Sequence, residues 1–131
     1  WIQNFIKVGD REYSLADIEK GVLQKMGDPR IHFAINCASF SCPKLLDKAY
    51  TAANVDALMD EAANEFVNSD KNDLSDSSNP KLSSIFDFYP KDFTAGGMTL
   101  IEYVNQYAEN KINPGATITY KDYDWSLNKQ K

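Results

Sequence analysis

The sequence predicts an α+β domain: a small mixed or antiparallel sheet with several amphipathic helices packed on it. Three observations carry this expectation. Ile2 to Val8, Arg30 to Cys37 and Thr117 to Tyr120 read as strands, the second with clean alternation of apolar and polar side chains. Leu15 to Met26, Val55 to Val67 and Leu100 to Ala108 instead repeat apolar residues at spacings of three and four, the period of a helix with one buried face. The two patterns interleave over 131 residues, a length that suits one domain of about 100–150 residues. Such a chain can bury a core without help from a metal or a disulfide.

In chain order, Gly9-Asp10 reads as a turn and Arg11 to Tyr13 as the returning arm of a short hairpin. Ser14 has the character of a helix N-cap, with Asp17 and Glu19 in the positive first turn. The stripe Leu15, Ile18, Val22, Met26 follows, and Gly27-Asp28-Pro29 ends it. In the strand expected at Arg30 to Cys37, Ile31, Phe33, Ile35 and Cys37 share one face, and Arg30, His32, Ala34 and Asn36 share the other. Ala38 to Lys44 is a loop, and Pro43 can open a short helix through Leu46. Thr51 is expected to cap the most regular helix, whose apolar face is Val55, Leu58, Met59, Ala62, Ala63, Phe66 and Val67. Ser69 to Lys81 is polar and of low complexity, and reads as a mobile, solvated loop. Leu82 to Tyr89 is a short strand or helix on the core. Thr99 and Glu102 have capping-box spacing ahead of the last helix.

Lys and Arg total 14 against 19 Asp and Glu, for a formal net charge of −5. The densest basic stretch is the Lys129-Gln130-Lys131 tail. A nucleic-acid site needs clustered basic residues on one face, so nucleic acid is not expected as a partner. An anionic membrane surface is disfavoured for the same reason. No stretch approaches the ~18 apolar residues of a membrane span. No motif requires a cofactor.

One His and two Cys bound the chemistry. Cys37, Cys42 and His32 provide three potential zinc ligands. Their spacing lies at the edge of the usual range and no second cluster exists, so no metal is expected. A Cys nucleophile needs a nearby cation or a helix N-terminus. In a straight strand His32 and Cys37 would stand roughly 16 Å apart on opposite faces. Cys42, just before Pro43, is the better nucleophile candidate. His32 would be its base, and Asp124, or less favourably Asn36, would orient the imidazole. Against this stand plainer readings. Cys37 and Cys42 can form a disulfide closing a short loop, which export would favour. His32 can be a hydrogen-bonded structural residue, and Asp124 can cap backbone N–H groups.

Three segments, DPRIHFAINCASFSCP at Asp28–Pro43, KLSSIFDFYPKDF at Lys81–Phe93 and YKDYDWSLN at Tyr120–Asn128, together resemble the family known as domain of unknown function 547. YSLADIE at Tyr13–Glu19 resembles its lead-in. The resemblance runs over nearly all of the chain. Members usually carry a further helix rich in aromatic residues and Asn ahead of this point. Residues 1–131 are therefore expected to be a single domain forming the C-terminal portion of the full family domain. The resemblance implies a bacterial, secreted or envelope setting, hence an extracytoplasmic location, and it implies no reaction.

The leading expectation is a domain that binds an unknown protein partner or small-molecule ligand through the face bearing His32 and Asn36. The first alternative is a Cys-His thiol hydrolase or acyltransferase of papain-like or transglutaminase-like logic, using Cys42, His32 and Asp124. The second is a thiol-disulfide redox protein, which departs from the usual C-x-x-C spacing.

Overall fold

The longest regular element, α2 (Val55–Asn68), follows directly from its pattern. Leu58, Ala62, Ala63, Phe66 and Val67 are buried on one face, and Asp56 sits in the first turn where the helix dipole favours an acid. It begins one turn later than Thr51. That residue heads the lead-in turn, its carbonyl accepting from the N–H groups of Asn54 and Val55. The structure, a computed structural model, describes residues 1–129; of the basic tail, residues 130 and 131 lie outside it.

Around α2 stand four shorter helices: α1 (Ile31–Ala34), α3 (Ile85–Phe88), α4 (Pro90–Thr94) and α5 (Leu100–Tyr107). Thr99 and Glu102 form the expected capping box, with Thr99 Oγ1 accepting from the Glu102 N–H and Glu102 Oε2 accepting from the Thr99 N–H. The core is a cluster of four phenylalanines. Phe33 of α1 stands 5.1 Å from Phe66, 6.0 Å from Phe86 and 5.8 Å from Phe93, centroid to centroid. Leu82, Val104 and Ile112 close it.

The strands are short and form two separate pairs. β1 (Ile6–Val8) and β2 (Arg11–Tyr13) make the antiparallel hairpin, with Ile6 opposite Tyr13. Gly9 supplies the φ of +61° that a two-residue loop needs at its first position. β3 (Lys81–Leu82) and β4 (Thr119–Tyr120) are parallel, with Leu82 opposite Tyr120. The class is α+β, with both antiparallel and parallel pairing.

Four local expectations are corrected. Arg30 to Cys37 is not a strand. Its first half is the single helical turn α1, and the chain becomes extended only at Ile35. The cause lies in Asp28-Pro29. Asp28 Oδ1 accepts from the Arg30 N–H, and the carbonyls of Asp28 and Pro29 accept from Ile31 and His32. The Asp-Pro pair that ends one helix thus starts the next, as an acceptor ahead of a first-turn proline does. Ile31, His32 and Phe33 are consecutive and all buried, so no period could show in so short a turn.

The stripe after Ser14 is helical but wide, a π-helix at Asp17–Leu23 running into a 3-10 turn at Gln24–Met26. Ser14 caps it, with Oγ accepting from the Asp17 N–H. Under i→i+5 bonding, residues three and four apart no longer share a face. Val22 and Met26 end up exposed and Glu19 is buried. The short helix expected from Pro43 through Leu46 does not form. Finally, Ser69 to Lys81 is not a free solvated loop. Asn72 is buried, its amide donating to the carbonyls of Phe66 and Val67 and accepting from the Ser83 N–H. Asp73 and Lys81 exchange backbone hydrogen bonds, and Ser77, Ser78 and Pro80 accept from residues 113, 117 and 119.

Arg30 fastens α1 to α2. Its guanidinium bonds Asp28, Asp56 and Asp60 at 2.7–2.8 Å. That contact holds the Asp28 carboxyl below the usual carboxylate range, against the opposing effect of partial burial. A depressed pKa means that this stabilisation is present above the unfolded value of about 3.9 and is lost as pH falls through the folded one. Asp28→Asn is therefore expected to lessen the loss of urea resistance between about pH 5 and pH 2. An unchanged acid limb would contradict this.

Candidate ligand-binding cleft

A cleft of about 370 Å³ opens where the π-helix, α1, α3 and the C-terminal segment meet. At its base is His32. The side chain is almost fully buried, yet the residue lines the cleft. Its ring stacks on Tyr89 at 3.9 Å between centroids with 17° between planes. Nε2 lies 2.7 Å from Oδ2 of Asp92, which also accepts from Gln24 Nε2. A carboxylate there selects the tautomer with hydrogen on Nε2 in the neutral ring. Nδ1 then carries the lone pair, and no described residue hydrogen-bonds it.

Beside this pair sits the Glu19 carboxylate that the π-helix turned inward. Oε2 accepts from the indole N–H of Trp1 at 3.1 Å and Oε1 from the Tyr89 hydroxyl at 3.2 Å. Burial, followed by the Glu19 charge, raises the Tyr89 phenol above its ordinary value, so it remains a donor.

The opposite wall is the loop joining Cys37 and Cys42, which are bonded as a disulfide with their Cα atoms 6.3 Å apart. Asn36 shapes this loop with both ends of its amide, Nδ2 donating to the Pro43 carbonyl and Oδ1 accepting from the Ala38 N–H. Ala38 holds a left-handed φ of 59°, an uncommon conformation for a residue with a Cβ. The C-terminal segment straps the loop down. Ser126 and Asp124 carbonyls accept from the N–H groups of Phe40 and Ser41, and Asn128 N–H donates to Ala38. That strap brings Tyr123 and Trp125 to the rim, packed 4.3 Å apart, with the Trp125 ring stacked on that of Phe88 at 6.4 Å.

The structure thus brings His32, Cys37 and Cys42 to one cleft. It leaves Asp124 exposed and outside the lining, its carboxylate accepting from Ser126. The carboxylate on His32 is Asp92, not Asp124. Asn36 does not line the cleft but holds its wall. Among the described residues, no group of three His, Cys, Asp or Glu side chains is placed to hold a metal ion. Glu19, Tyr89, Asp92 and Tyr123, which line the cleft or bond its residues, were not singled out from the sequence. Their partners are distant in sequence, His32 and Asp92 being 60 residues apart. Their sequence signal was only that they lie in segments carrying the resemblance, Glu19 in Tyr13–Glu19, Tyr89 and Asp92 in Lys81–Phe93, and Tyr123 in Tyr120–Asn128.

The family described as "Protein of unknown function, DUF547" matches residues 1–67. The chain belongs to this family. In this DUF547 chain the matched part runs from the hairpin into α2 and supplies Trp1, Glu19, His32, Cys37 and Cys42. Tyr89, Asp92, Tyr123 and Trp125, which complete the cleft, lie beyond the matched residues. No curated protein and no solved structure matches the chain. No helix among the described residues is long and apolar enough to cross a membrane.

Proposed function

We propose that this domain binds a small ligand with a flat apolar body and a hydrogen-bond donor on its edge, received in the cleft over His32. The observation that carries the reading is the imidazole itself, fixed by Asp92 and Tyr89 with Nδ1 left as an acceptor. Around it stand aromatic rings suited to stacking. His32, rather than Asn36, is the polar contact. The walls are held by the Glu19 and disulfide networks, so the site is preformed and little ordering opposes binding. An extracytoplasmic location is part of the proposal, supported by the Cys37–Cys42 bond, since disulfides persist in oxidising compartments. The Cys-His hydrolase alternative has less support: Cys42 is bonded to Cys37 and Asp124 stands apart from His32.

Both tryptophans of the chain line the cleft, so intrinsic fluorescence reports on it. p-Cresol, a flat ring with a hydroxyl donor, is the probe. Titration with tryptophan-selective excitation is expected to show saturable change. Phe88→Ala, which removes a half-exposed rim ring, should weaken binding about threefold to tenfold while leaving the melting temperature nearly unchanged. A non-saturable response, or equal affinity in Phe88→Ala, would count against the cleft.

A further inference from the structure

The disulfide has an asymmetry that ligand binding does not use. Cys37 is exposed, while Cys42 is only 4% exposed. Three donors surround the buried sulfur: the Cys37 backbone N–H at 3.1 Å, the Ser39 hydroxyl at 3.3 Å and the Tyr123 hydroxyl at 3.4 Å. Ser39 and Tyr123 are also 2.9 Å from each other, and their hydroxyls reach the Cys37 sulfur at 3.1 and 3.5 Å. The backbone N–H is fixed on Cys42 alone. A disulfide that only braces a loop has no need of such donors. They are suited to a sulfur that becomes negative, because hydrogen bonds to a thiolate lower its pKa and make it a faster leaving group. Titratable side chains near Cys42 are of mixed kind. Glu19, Lys20 and His32 stand on the cleft side, and Lys44, Glu65, Asp70 and Lys71 on the other.

We infer that Cys37–Cys42 is a thiol-disulfide exchange site whose substrate is a dithiol and whose leaving sulfur is Cys42. A substrate thiolate attacks the sulfur of Cys37, the exposed residue of the pair. The Sγ–Sγ bond breaks, and its electron pair departs with Cys42 Sγ as a thiolate held by the three donors. The second substrate thiolate then attacks the substrate sulfur of the mixed disulfide and releases Cys37. In sum the dithiol is oxidised to a disulfide, the protein disulfide is reduced to two thiols, and the two substrate protons pass to them. The exchange needs only the sulfurs and their donors, so it stands whether or not the cleft takes a ligand.

The test uses the full chain in its oxidised form. Native protein is mixed with excess dithiothreitol at neutral pH, and thiol release is timed against the same protein unfolded in urea, where the donors are gone. The native bond is expected to react at least as fast as the unfolded one. Ser39→Ala and Tyr123→Phe, shown folded by circular dichroism, should each slow the native reaction about threefold to tenfold. With glutathione, a monothiol, the mixed disulfide trapped by alkylation should map to Cys37, a readout that needs no variant. Slower reduction in the native state, wild-type rates in both folded variants, or an adduct on Cys42 would overturn the inference.

Discussion

Phe33→Ala is expected to destabilise the domain by about 3–5 kcal/mol, the range for emptying a buried aromatic site. The ring is 1% exposed and packs against Phe66, Phe86 and Phe93. Those neighbours belong to three different helices and cannot all move into the void, so the transfer loss and the cavity add. Phe33→Leu keeps most of the volume and should cost much less. Urea unfolding of the two variants checks this, and similar midpoints for both would show that Phe33 is not at the centre of the core. The effect should also reach the cleft, because α1 carries Phe33 and His32 as neighbours on a single turn.

His32→Ala is expected to cost about 1–3 kcal/mol, since the substitution strips the Asp92 carboxylate of a 2.7 Å partner inside a packed site. The stacking face of Tyr89 is lost with it. Asp92 is one-third exposed and keeps Gln24, which tempers the effect. The double variant His32→Ala, Asp92→Ala separates the two contributions. If the His32–Asp92 hydrogen bond carries most of the loss, the second substitution should add little to the first, whereas fully additive losses would show that the two residues act independently. In either variant p-cresol binding should vanish.

How much of this was legible in the sequence depended on the length of the signal. The helices α2 and α5 were readable because a buried stripe repeats over two turns or more, and in α5 because Thr99 and Glu102 announce the start. Gly9-Asp10 marked the hairpin. The π-helix was half legible: Ser14 and Asp17 marked its start, but nothing local signals the wider turn that buries Glu19 and exposes Met26. The turn Ile31–Ala34 was misread because four residues hold no period and alternation happened to suit a strand. Asp28-Pro29 was the available clue, read only as a stop. Asn72 looked like loop composition, although its amide satisfies the carbonyls at the end of α2. In the site, His32 and the two cysteines stood out by rarity. Asp92, Tyr89 and Tyr123 did not, because nothing in one sequence singles out a particular Asp or Tyr before the fold brings it to a partner.

The central claim is that a fixed His32 offers Nδ1 to a ligand in the cleft. With one His in the chain, a long-range ¹H–¹⁵N spectrum of the imidazole reads it directly. The neutral ring is expected to carry its proton on Nε2, against Asp92, with Nδ1 bare. On addition of p-cresol the Nδ1 resonance should move upfield, as an acceptor does when it gains a hydrogen bond, while Nε2 stays nearly in place. A proton on Nδ1 in the free protein, or an Nδ1 resonance indifferent to saturating p-cresol, would contradict the account.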